Sequence, residues 1–143
     1  MTERKAEVVW QGDLMNGGGT VSTVTSGAFG PLDVSWPSRA EEPAGKTSPE
    51  ELIAAAWAAC YSMALAHGLA GGGHAPERLE TSATVSFQAG EGIVKGALTV
   101  KATVPGLDAA GFNEAAESAK VNCPVSKALA GIPEVSLDAS LAG

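Results

Sequence analysis

Two thiols, one buried-looking and one beside a proline, are the residues of this chain best suited to covalent chemistry. Cys60 lies inside "SPEELIAAAWAACYSMALAHGLAGGG" and Cys123 inside "KVNCPVSKAL". A cysteine within an alanine-rich helix ordinarily serves as a small apolar filler. It becomes a nucleophile only as the thiolate, which requires something to lower its pKa from about 8.5. A helix interior works against this by desolvating the charge, so a cation has to come from elsewhere. The only arginines are Arg4, Arg39 and Arg78, and Arg39, in the polar segment "PSRAEEP" just before the cysteine helix, is the best placed. A guanidinium about 4 Å from a thiolate is worth about 4 kcal/mol at an effective dielectric near 20. At 1.36 kcal/mol per pKa unit this sets a ceiling of about three units, before desolvation takes some back. Without a thiolate partner, Arg39 is simply a solvated loop charge.

Glu50 and Glu51 would by default complement the positive end of the helix dipole. A second role for Glu50, orienting an arginine at Cys60, meets a geometric obstacle. The two residues are ten positions apart, which on a straight helix is about 15 Å of rise. An acid serving Cys60 must then come from another subunit or from a bent chain. Cys123 sits where a helix start is expected, facing the positive end of a dipole that favours its thiolate. Residue chemistry alone therefore leaves open which cysteine attacks and which resolves. His67 and His74 raise the question of zinc, but neither C-x-x-C nor H-x-x-x-H spacing is present, so a metal site is not expected. Trp57 and Met63 flank Cys60 at helical spacing, suited to core packing or to the wall of an apolar pocket.

The elements that must position these groups can be read from pattern. Three β-like runs, "AEVVWQG", "GTVSTVTSG" and "PLDVSW", come first, divided by turn-rich stretches. "PSRAEEPAGKTSPEE" is polar and holds three prolines, so an exposed, partly extended loop is expected. Ser48, Pro49, Glu50 and Glu51 read as cap, first-position proline and first-turn acids of a helix that runs to about Leu69. Its apolar interior predicts burial on several sides. Alternation in "LETSATVSFQAGEGIVKGALTVKATVPG" predicts a hairpin with one covered side, to which Ala83, Val85 and Phe87 contribute from its first strand and Val94, Leu98, Val100, Ala102 and Val104 from its second. Asp108 caps a further helix that Pro124 breaks, and a short helix starts there with Cys123 near its N-cap. Val135, Leu137, Ala139 and Leu141 alternate in a final strand.

With 143 residues, a single domain spanning 1–143 with an adequate core is expected. The net charge of −7 gives no basic footprint for nucleic acid. "MTERKAEVVW" lacks a signal-peptide apolar region and no apolar run reaches a membrane span, so a cytoplasmic protein with no membrane partner is expected. In that reducing compartment free or catalytic thiols are the rule. The order of elements makes the fold class α+β.

Taken together, "WQGDLMNGGGTVST", "TSPEELIAAAWAACYSMAL" and "VPGLDAAGFNEAAESAKVNCPVSKAL" resemble the OsmC/Ohr family of thiol-dependent hydroperoxide reductases, and its OsmC branch in particular. The resemblance spans essentially the whole chain. It implies an OsmC-like fold with antiparallel sheets packed on long central helices, in an intertwined homodimer with active sites at the interface. It also implies Cys60 as the peroxidatic thiolate, Cys123 as the resolving thiol, Arg39 as the active-site arginine and Glu50 as its carboxylate partner. In the Ohr branch the arginine lies in the first glycine-rich loop, which here reads "GDLMNGGG" and has none. One departure is Ala40, where the family carries an aromatic after the arginine, which implies a smaller pocket wall. The implied activity is reduction of organic hydroperoxides, and less efficiently of hydrogen peroxide, through a Cys60 sulfenic acid and a Cys60–Cys123 disulfide. No metal or cofactor is implied; electrons come from an external thiol, either a lipoylated protein or a small dithiol. The competing reading is a non-catalytic protein of the same fold whose cysteines sense redox state or form a structural pair.

Overall fold

The computed structural model describes residues 1–142. The chain forms two compact units, Met1–Leu52 and Ile53–Gly143.

In the first unit β1 (Ala6–Gln11), β2 (Gly18–Val24) and β3 (Leu32–Val34) form an antiparallel sheet in the order β1-β2-β3. Gly19 lets the Trp10 ring cross the sheet: a Cβ there would stand 2.7 Å from the ring, closer than any real contact. The segment expected to be an extended loop instead begins with a short helix, α1 (Trp36–Ala40). The reason is a reciprocal capping box. Ser35 Oγ accepts from the Ser38 N–H and Ser38 Oγ accepts from the Ser35 N–H, which satisfies the first-turn donors that a loop would leave to water. Pro37 near its start suits a helix N-terminus.

Helix α2 (Pro49–Gly71) starts as the sequence predicts: Ser48 Oγ accepts from the Glu51 N–H at 3.1 Å. Its burial in the single chain is confined to one stripe. Trp57, Tyr61, Leu65 and Leu69, spaced by four, form one buried stripe. Ala55, Ala56 and Ala59 are exposed, and Met63 is 71% exposed. Within the second unit the helix is thus covered on a single side, because its three-stranded sheet and helices cover only that stripe. Another correction concerns length: α2, with 23 residues, is long and apolar enough to cross a membrane by length and composition. Its buried stripe is committed to the core of the second unit.

That core is built on β4 (Arg78–Gln88), β5 (Gly92–Thr103) and β6 (Glu134–Leu141), in the order β4-β5-β6. The hairpin β4–β5 is antiparallel, with a bulge between Ser86 and Phe87, and the predicted turn is there, with Gly90 and Gly92 at positive φ. The expected all-antiparallel sheet is corrected at β6, which pairs parallel to β5, from Lys95 opposite Glu134 to Ala102 opposite Leu141. A parallel neighbour needs a long crossover, and α3 (Ala109–Asn122) with α4 (Pro124–Ala128) supplies it. Asp108 caps α3 as predicted, its carboxylate accepting from the Gly111 N–H at 2.8 Å. Leu98, Val100, Ala102, Phe112, Ala119 and Cys123 close the core against the α2 stripe. Of the alternating residues of β6, Leu137, Ala139 and Leu141 pack against the core, whereas Val135 near the start of the strand is exposed.

Candidate active site

Cys60 lies on α2 beside the core stripe, one position before Tyr61, and is half-buried. Cys123 ends α3 and opens α4, with φ −58° and ψ 122°, the extended geometry that the following proline imposes. It is fully buried. The fold brings the two residues together: both are free thiols, with their sulfurs 3.0 Å apart. A disulfide needs about 2.05 Å, so bonding requires an approach of about one ångström and no rearrangement of the elements.

Their electrostatics differ. Burial pushes the Cys60 thiol up from its ordinary value, the contact with Cys123 adds to this, and the Val125 N–H offsets part of it. For Cys123 burial acts in the same direction. The contact with Cys60, together with the N–H groups of Ser126 and Val125 and the Ser126 hydroxyl, outweighs burial and brings its pKa down. These donors face the sulfur without closing a capping hydrogen bond. The contact with Cys60 is the larger cause, and the backbone N–H groups at the start of α4, where the sequence placed Cys123, add to it.

The other predicted pair forms within the first unit. Arg39 sits in the last turn of α1 and Glu50 in the first turn of α2. The guanidinium grips the carboxylate as a fork, with Nε 2.9 Å from Oε1 and Nη2 3.0 Å from Oε2. Ser38 Oγ donates to the Thr47 carbonyl at 3.2 Å, which ties α1 to the chain entering α2 and so delivers Arg39 to Glu50. The Glu50 side chain is 8% exposed and that of Arg39 32%. Glu51 has the ordinary role instead, accepting from Thr47 Oγ1 at 3.0 Å on the exposed side. Adjacent acids that look alike in sequence are thus separated by which way the helix turns them.

An open groove of about 550 Å³ lies between α2, α3 and the start of α4, and neither cysteine lines it. Its walls include Ala64, one turn beyond Cys60, and Pro124, next to Cys123, with His67 and Glu114 as its charged or titratable groups. His74 faces the Gly72 carbonyl at 3.1 Å. Trp57 is a core residue, 1% exposed, so it does not wall the groove. Ser126, to which sequence reasoning gave no role, accepts a hydrogen bond from Trp57 Nε1 at 2.8 Å; the available signal was a hydroxyl three residues after Cys123.

Known proteins resemble this chain in sequence and in fold. The family described as OsmC-like protein matches residues 42–138. The peroxiredoxin OsmC of Escherichia coli (strain K12) is 43% identical over 141 residues, covering 96% of each chain. Among solved structures, the organic hydroperoxide resistance protein OhrB of Bacillus subtilis superposes with a TM-score of 0.65 at 28% identity, over 96% of this chain and 98% of its own. An organic hydroperoxide resistance protein OsmC from Legionella pneumophila gives 0.65 at 26% identity, over 97% of both chains. An OsmC-like protein of Mycoplasma pneumoniae, 16% identical over 97% of this chain and 98% of its own, shares the fold with a TM-score of 0.70. With the match covering more than half of its length and a relative aligned nearly end to end, this chain belongs to the OsmC family.

Proposed function

We propose that this chain is a cysteine-based peroxidase that reduces organic hydroperoxides, and hydrogen peroxide less well, in the cytoplasm. The observation that carries the reading is the approach of two free thiols to 3.0 Å from separate elements, a distance suited to a reversible disulfide. Cys60 is the half-exposed member of the pair and therefore the one a peroxide meets. Its thiolate attacks the distal oxygen, the O–O bond breaks, and the alkoxide leaves as an alcohol, with Cys60 now a sulfenic acid. Cys123 condenses with it to a disulfide, which an external dithiol, free or lipoyl-bound, reduces. The electrons come from that thiol, without metal or flavin.

Burial raises the Cys60 pKa, so a working thiolate needs a cation. Arg39 supplies it, with Glu50 fixing the guanidinium plane. The fork seen between them supports this division of labour. Glu50 and Cys60 stand ten residues apart on one helix, about 15 Å along its axis, which favours an intertwined homodimer in which Arg39 and Glu50 serve the partner's thiol. The uncovered apolar side of α2 and the wholly exposed β1, with Val8, Val9 and Trp10, are the kind of surface a second copy buries.

Turnover decides between this reading and a redox sensor. With excess dithiol, cumene hydroperoxide is consumed for many cycles per chain, with a higher kcat/KM than for hydrogen peroxide. Consumption that stops at one equivalent would leave only the sensor. Subunit sharing is tested by mixing Glu50→Ala and Cys60→Ser chains and refolding them together. Activity in the mixture rises above that of the Glu50→Ala parent at equal dilution, since mixed dimers regain one intact site. No rise means that Glu50 serves its own chain.

A further inference from the structure

The two cysteine-bearing elements of the second unit are tied at a second point. Trp57 precedes Cys60 by three residues and lies on the same side of α2; Ser126 follows Cys123 by three. The indole Nε1 donates to the Ser126 hydroxyl at 2.8 Å, alongside the sulfur pair at 3.0 Å. The indole itself is locked. It is 1% exposed and lies over Gly96 of β5, where an added Cβ would stand 2.7 Å from Cζ3 and 2.8 Å from Cη2. Helix α4, by contrast, has only five residues and buries none of them fully; Val125 and Leu129 are partly covered by the core. Packing alone fixes α4 weakly, so one part-buried hydrogen bond to a rigid ring has a large share in setting its position.

We propose that Trp57 and Ser126 are positioning residues for the resolving step, their hydrogen bond holding the Cys123 sulfur within bonding distance of Cys60. This rests on the peroxidase reading above and adds to it what sets the speed of its second half. In that step the Cys123 sulfur attacks the Cys60 sulfenic sulfur. The Cys60 S–O bond breaks, the S–S bond forms, and the hydroxide leaves with the Cys123 proton as water. The Cys123 sulfur is oxidised by one level and the sulfenic sulfur is reduced by one. The geometry of attack is unforgiving, because a sulfur displaced by about an ångström loses the alignment on which such displacements depend. The Ser126 hydroxyl serves this step a second way: its partial positive charge facing Cys123 favours the attacking thiolate. Because its oxygen accepts from Trp57, the hydroxyl proton is left free to turn toward the sulfur.

The test separates the two half-reactions in the full-length protein. Ser126→Ala and Trp57→Phe are reacted with one equivalent of cumene hydroperoxide and quenched over time. Sulfenic acid is counted as its dimedone adduct and disulfide by alkylation and mass spectrometry. Disulfide closure slows about fivefold in each, as for loss of one hydrogen bond, while sulfenic acid formation stays within about twofold of wild type. The double variant is no slower than Ser126→Ala alone, since that substitution already removes the bond to Trp57 together with the hydroxyl that faces Cys123. Ser126→Thr retains the hydroxyl and closes at near the wild-type rate. At excess peroxide the slow variants accumulate more sulfinic acid. A merely structural role would slow both half-reactions together, and that result, or wild-type closure in both single variants, overturns the proposal. If wild type itself forms no Cys60–Cys123 disulfide, the peroxidase reading fails first and this one with it.

Discussion

Cys60→Ser has no measurable turnover with any hydroperoxide, whereas Cys123→Ser completes one reaction and stops with a sulfenic acid that dimedone traps. The asymmetry follows from exposure and from chain chemistry. A serine hydroxyl is not ionised near neutrality and cannot displace on oxygen, so losing the attacking thiol removes the first step. Losing the resolving thiol removes only the second. Electrostatics within the single chain run the other way: Cys123 is the thiol whose pKa is lowered, and Cys60 the one whose pKa is raised. Access decides against Cys123 as attacker, because its sulfur is sealed in the core while Cys60 is partly open. Mass spectrometry of the single variants after one equivalent of peroxide checks the assignment. A dimedone adduct on Cys123 in Cys60→Ser reverses it.

Arg39→Ala shifts the pH profile of Cys60 alkylation to higher pH and slows it about tenfold or more at pH 7, the size expected for losing one to two units of a possible three. The sign is fixed by charge: removing a cation disfavours the thiolate, raises the pKa and lowers the reactive fraction below that pKa. Above both pKa values the two proteins react alike, so iodoacetamide rates converge at alkaline pH. Arg39→Lys recovers part of the loss, because an ammonium supplies the charge but not the planar fork that Glu50 grips at 2.9 and 3.0 Å. Loss of Arg39 also leaves Glu50, buried with its side chain 8% exposed, without its ion partner. Thermal unfolding is therefore followed alongside. An unchanged alkylation profile in a folded Arg39→Ala protein removes Arg39 from the site.

Periodicity and end signals alone determined that the chain holds six strands and a long apolar helix. They also placed the Asp108 cap and the break at Pro124, because these depend on residues adjacent in sequence. The motif around the two cysteines identified the family from the same local information. Arg39 was legible as the best-placed cation but not its carrier: α1 arises from the Ser35–Ser38 capping box, which a proline-rich polar stretch conceals. Nothing local separated Glu50 from Glu51; one faces a guanidinium and the other a threonine because the helix turns about 100° per residue. The parallel pairing of β6 with β5 was invisible to alternation, which reports the covered face and not the direction of a neighbour. The apolar composition of α2 likewise states what the helix can bury and not which surface covers it; the second unit covers one stripe. Most of all, the 3.0 Å approach of Cys60 to Cys123 belongs to tertiary structure. It depends on α2, α3 and α4 closing over one sheet, and the bond between Trp57 and Ser126 that accompanies it joins residues that no sequence window contains together.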